Sequence, residues 1–165
     1  SGADALFAYT NEEESARLLR ELRKQNWNKP VIGETVLTSA KVVELAGEAS
    51  NGAVAHVGLT VEAPQLQAFG RRYQAEFKTV SDHNGVKGYT AVYVLKAAIE
   101  KAGKVDRKAA AAAIRNSCFS AKQHPGILMD VCFDDKGDID RDSFITEIRN
   151  GKTVVAETLP PLNKK

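Results

Sequence analysis

The sequence predicts an α/β fold with a parallel sheet, and three observations carry that reading. Short apolar runs alternate with amphipathic helical stretches over residues 4–60 in the order β-α-β-α-β, with brief connections. Asn150-Gly151 lies between two apolar runs near the C-terminus, the strongest short signal for a β-hairpin. Charged residues at 27% and hydrophobic residues at 43% of 165 are the balance of a globular domain with a sizeable core. The expected architecture is a three-stranded parallel sheet plus a C-terminal hairpin, with a separate helical segment between them.

Residues 4–9 are apolar with aromatic content and read as a short buried strand. Asn11, with Glu14 three residues on, has the spacing of a capping box headed by Asn. The helix after it reaches about Gln25, with Ala16, Leu18, Leu19 and Leu22 on its inner face. The basic run from Arg20 to Lys24 then reads as a solvated helix face. Pro30 opens a second strand, Val31-Ile32-Gly33, and Thr38 or Ser39 caps a second helix that Asn51-Gly52 ends. Residues 53–60 make a third strand of small side chains. Right-handed crossovers would lay these three strands parallel.

Beyond Pro64 the pattern changes. Residues 65–80 predict an amphipathic helix presenting Phe69, Tyr73 and Phe77, and Ser81 to Gly88 reads as a polar loop. Tyr89 to Lys101 is a strongly apolar helix, and Asp106 caps an alanine-rich one reaching about Asn116. Three successive helices need a surface to cover, and the first three strands already have helices of their own. Ile127 to Phe133 then predicts a strand, Asp134 to Asp138 a turn, and Phe144–Ile148 with Thr153–Glu157 the hairpin.

A net charge of +2 is too small to argue for a nucleic-acid partner, and no apolar run approaches a membrane span. The chain begins Ser1-Gly2-Ala3 almost directly on a strand, without Met or a signal peptide, as a processed or truncated product does. Cys118 and Cys132 read either as two buried thiols or, in an oxidising compartment, as one disulfide. Two cysteines and three scattered histidines lack zinc-site spacing, so neither metal nor cofactor is expected.

Several motifs fail on inspection. Gly151-Lys152-Thr153 lacks the phosphate-loop glycine five residues earlier, where Thr146 stands. Asp138, Asp140 and Asp142 have calcium-loop spacing, but Ser143 replaces the required glycine and Arg149 the closing acid. His83 beside Asp82 reads as structural. No nucleophile-base pair is visible, so no enzyme is expected.

The first two strands end in polar residues at the same sheet edge, where open α/β folds gather ligands. Tyr9, Thr10, Asn11, Glu34 and Thr35 are therefore the candidate ligand-binding residues. Glu34 is either a solvated loop acid or a crevice carboxylate that takes a ligand's ammonium through charge-assisted hydrogen bonds. In the second case Tyr9 packs on the apolar part of the ligand, while Thr10 and Asn11 supply hydrogen bonds.

Five stretches in order carry a resemblance: Ala3 to Ala16, Val31 to Thr35, Leu45 to Ala53, Gly88 to Ala98, and Phe133 to Asp138. Together they resemble the C-terminal half of the type I periplasmic substrate-binding proteins, specifically the Leu/Ile/Val-binding-protein-like receptors of branched-chain amino acid ABC importers. The resemblance implies a periplasmic, two-lobed protein that closes over an amino acid or similar small solute and delivers it to a membrane permease. It further implies that this chain is about half of one, cut from a precursor with a signal peptide. In the family an acid beside Glu34 and Thr35 receives the ligand ammonium. A family pocket aromatic falls near Asn11, where this chain has none and Tyr9 lies two positions earlier.

The resemblance also accounts for the three helices. Residues 1–63 would form the β-α-β-α-β unit of the C-terminal lobe, 64–130 a helical segment of the other lobe, and 131–165 the crossover and completing hairpin. Exposed apolar faces on 64–130 would then pair with another copy, as a self-associated or domain-swapped dimer. A periplasmic setting favours the Cys118–Cys132 disulfide. The alternative reading is a ligand-sensing extracellular domain of a receptor with the same fold.

Overall fold

The computed structural model describes residues 2–162 and divides the chain into two compact units. The chain up to Glu62 and the segment Ser143–Leu159 make unit 1; Ala63–Asp142 and the residues from Pro160 make unit 2.

Unit 1 is one five-stranded sheet with helices on one face. Its elements are β1 (Leu6–Ala8), α1 (Glu12–Lys24), β2 (Val31–Glu34), α2 (Ala40–Ala46) and β3 (Ala53–Val57), with 3-10 turns at Thr35–Thr38 and Gly47–Ser50. β1, β2 and β3 are parallel neighbours, as the alternating pattern predicts. The third strand stops at Val57 rather than residue 60, because the ladder to its antiparallel neighbour ends at Val57 opposite Phe144.

Alternate residues of these strands face the helices. Ala8, Val31, Ala53, Ala55 and Val57 pack with Ala16 and Leu19 of α1, Val42 of α2, and Leu37. Gly33 lies in this layer too: a Cβ there would stand 2.6 Å from the Ala8 carbonyl oxygen and 2.7 Å from Leu37 Cδ2. Ser39 caps α2, its hydroxyl accepting from the Val42 amide at 3.3 Å. Asn11 occupies the cap position of α1, yet its side chain makes no capping bond, so the expected capping box does not form. Arg20 and Arg23 are not merely solvated either. Arg20 donates to the Leu45 carbonyl at 2.8 Å, and the Arg23 guanidinium donates to the carbonyls of Trp27, Ala49 and Asn51. These cations pin α1 to the segment leading into β3.

The C-terminal hairpin joins the same sheet. The strands Ser143–Arg149 and Lys152–Leu159 extend it as the pair that follows three shorter strands of unit 2, and are β7 and β8 in chain order; β7 lies antiparallel against β3. Asn150 and Gly151 both adopt positive φ, 50° and 69°, as a two-residue hairpin turn requires. Buried Thr38 and Thr146 share a hydroxyl hydrogen bond of 2.7 Å beneath it.

Unit 2 contains a 3-10 turn at Pro64–Leu66, the helices α3 (Gln67–Phe77), α4 (His83–Ala102) and α5 (Arg107–Ile114), and an antiparallel sheet of β4 (Cys118–Phe119), β5 (Val131–Phe133) and β6 (Ile139–Asp140). Of the predicted loop over Ser81 to Gly88, the residues from His83 on are in fact the first turns of α4. Asp82 caps it, accepting from the Gly85 amide at 2.8 Å, and buried Val86 anchors it; Gly85 and Gly88 had masked the helical period. The strand expected from Ile127 begins only at Val131, because β4 offers just two residues to pair with. Residues before it turn instead, with the Ile127 amide donating to the His124 carbonyl at 2.7 Å. Cys118 and Cys132 face each other across β4 and β5 and are joined in a disulfide. The core gathers Val94, Ala97 and Ala98 of α4 with Phe119, Ile127 and Val131.

Candidate functional site

Parallel pairing brings three strand ends of unit 1 to one edge. Ala8 pairs with Gly33 and Gly33 with Ala55, so Tyr9, Glu34 and His56 each follow a residue of the same row. Glu34 and His56 are themselves direct register partners. Alternation turns them away from the α1–α2 layer, onto the face where Phe7, Ile32 and Val54 form the preceding row. That face is open: Phe7 is 70% and Tyr9 78% exposed.

The five predicted residues take different places at this edge. Tyr9 and Asn11 are exposed, and Glu34 is half-buried at the head of the 3-10 turn. Thr10 ties the loop to α1, its hydroxyl 2.7 Å from that of Ser15. Thr35 is buried, one residue past Glu34 and on the helix-covered side of the strand's alternation. His56 is the residue that sequence reasoning passed over. Its only signal was a polar residue alternating with Ala55 and Val57 in an otherwise apolar strand, and its partner Glu34 emerges only once the register is known.

The chemistry available at this edge is that of recognition. A carboxylate accepts from a ligand ammonium, an imidazole donates or accepts, and an aromatic ring offers apolar contact. Among the described residues no cluster of His, Cys, Asp and Glu could hold a metal ion.

A family profile described as periplasmic binding protein matches residues 1–153. The chain belongs to the periplasmic binding protein family. The leucine-, isoleucine-, valine-, threonine- and alanine-binding protein of Pseudomonas aeruginosa is 27% identical over 132 residues, which are 79% of this chain and 34% of that protein. Among solved structures, the leucine binding protein LivK of Thermotoga maritima is similar over 96% of this chain and 45% of its own, with a TM-score of 0.79 at 23% identity. A solute binding protein of an R. palustris ABC transporter, in complex with benzoate, is similar over 96% of this chain and 43% of its own, with a TM-score of 0.74 at 22% identity. These likenesses establish the periplasmic binding protein fold. The chain spans between a third and a half of the length of these relatives.

Proposed function

We propose that this chain is part of the solute-binding component of an ABC importer, and that Tyr9, Thr10, Asn11, Glu34 and Thr35 belong to one wall of a site for an amino acid or related small solute. The observation that carries the reading is the half-buried carboxylate of Glu34 beside exposed Tyr9 at the C-terminal edge of parallel strands. The Pseudomonas relative, named for five amino acids, supports an ammonium-bearing ligand. In this reading the protein works in the periplasm, hands its solute to a membrane permease and catalyses no reaction. The Cys118–Cys132 disulfide fits an oxidising compartment.

The helical residues 64–130 would serve the second lobe of such a receptor, and apolar side chains exposed on them, Phe77, Val92 and Leu95 among them, would be covered by a second copy or by exchange between copies.

A single wall binds weakly, because affinity in a two-lobed receptor comes from closure. Titration of the isotope-labelled chain with L-leucine and L-isoleucine should shift backbone amides of residues 9–11 and 34–35 with millimolar affinity, and Glu34→Gln should abolish the response. Shifts confined to other residues would overturn the assignment. Micromolar affinity by calorimetry would overturn the idea that this is one wall of two.

A further inference from the structure

We infer that the outer edge of β8 is a self-pairing surface. Two copies of this chain join β8 to β8, antiparallel about a two-fold axis at Val154, so that their sheets become continuous. The surface lies in unit 1, involves none of residues 64–130 and is independent of the solute reading.

β8 is the outermost strand of its sheet, eight residues long and without a proline. Bonded and non-bonded residue pairs alternate along antiparallel strands. The two-residue turn makes Arg149 and Lys152 a bonded pair, so Thr153 and Val155 aim their N–H and C=O groups away from β7. A second β8 centred on Val154 sets Thr153 opposite the partner's Val155, and Val155 opposite the partner's Thr153. Each such pair can exchange both its backbone hydrogen bonds, while the two Val154 side chains meet on the axis. Side-chain facing agrees with that register. Thr153 and Val155 both stand on the helix-covered face, opposite buried Ile148 and Thr146, and Thr153 donates to the Thr38 carbonyl at 2.7 Å. The charges agree as well. The register of β7 with β8 shifts between Ile145 and Thr146, which leaves Ala156 as an extra residue and turns Glu157 onto the open face with Lys152. Lys152 of one copy then lies against Ala156 and Glu157 of the other, twice over by symmetry. Both side chains are exposed, and among the described residues neither forms an ion pair. Within the hairpin Lys152 faces only a like charge, Arg149, which Glu147 already engages at 2.6 Å. An edge lysine and a bulge ordinarily discourage sheet extension. Here the bulge ends regular pairing beyond Val155, and the lysine meets an acid in the register centred on Val154, so the same devices select one partner strand.

The test is sedimentation of the whole chain over a range of concentrations, with amide exchange on the same samples. A dimer should form as concentration rises, and the Thr153 and Val155 amides should exchange more slowly as it does. Lys152→Glu alone and Glu157→Lys alone each place like charges at both contacts, and each should weaken the dimer about tenfold. An equimolar mixture of the two variants should dimerise as tightly as the unaltered chain, because every contact then pairs opposite charges. The double variant carrying both changes should do the same, which separates lost pairing from lost folding. Exchanging Phe7 and Ile32 for Thr should leave this dimer intact. A chain that stays monomeric up to millimolar concentration would overturn the inference. So would a dimer that neither charge variant weakens, or a mixture that binds no tighter than its components. A dimer in which Thr153 and Val155 exchange as fast as in the dilute chain would place the contact elsewhere and overturn it too.

Discussion

Gly33 and Leu37 show how a single residue shapes the edge. The space a Cβ would need at Gly33 is held by the Ala8 carbonyl and Leu37, so Gly33→Ala must push β1 or the 3-10 turn apart. Overpacking of this kind costs about 1–3 kcal/mol, and urea unfolding of the variant should show it as a lower midpoint. Two acids carry opposite pH dependences. Three backbone amides, Asp138 first, donate to the Asp134 carboxylate and hold its pKa below the ordinary value. Folded Asp134 thus binds protons less readily than unfolded, so its stabilisation is present above about pH 4 and lost as pH falls through the folded value. Burial pushes Glu62 up despite its backbone hydrogen bond, so folding favours its protonated form, and that contribution is lost as pH rises through the folded value. Asp134→Asn should flatten the acid limb of the stability profile, and Glu62→Gln should flatten the decline above the ordinary carboxylate range. Thermal unfolding across pH 3 to pH 7 separates the two.

At the scale of elements, the small sheet of unit 2 depends on its cross-link. β4 and β5 share two register pairs, too few for a stable ladder, and one of those pairs is the disulfide itself. Closing a loop across a separation of 14 residues restrains the unfolded chain by about 3 kcal/mol. Replacing both Cys118 and Cys132 by Ala should lower the stability of unit 2 by about that amount. Amide exchange should then quicken in β4, β5 and the intervening loop, while the hairpin of β7 and β8 keeps its protection. Equal loss of protection in that hairpin would show that the two units do not unfold separately.

At the scale of the molecule, the sheet of unit 1 has helices packed on one face, whereas parallel strands ordinarily have both faces covered. Phe7 and Ile32 remain exposed on the other face, and Phe77, Val80, Val92 and Leu95 are exposed in unit 2. If a second copy covers such surface, the chain should elute from size exclusion above its 17.9 kDa mass at high concentration and bind a hydrophobic dye when diluted. Exchanging Phe7 and Ile32 for Thr should reduce the dye signal. A clean monomer with low dye binding would refute self-association.

Local chemistry alone determined much of this protein. Hydrophobic period and capping residues located α1, α2 and α5, the Asn150-Gly151 pair located the hairpin, and short connections implied parallel β1 to β3, because each of these depends on residues close in the chain. The disulfide needed more than composition: the two cysteines fitted buried thiols as well as a bond, the family resemblance favoured the bond, and the pairing of β4 with β5 sets them opposite each other. Tertiary structure also decided strand limits, since β3 stops and β5 starts with their partners' ladders rather than with their own apolar runs. The candidate site divides along the same line. Tyr9 and Glu34 could be read as strand ends, but His56 joins them only through a register between residues 22 apart in the chain. Register and facing are properties of paired strands, which no single stretch of sequence contains.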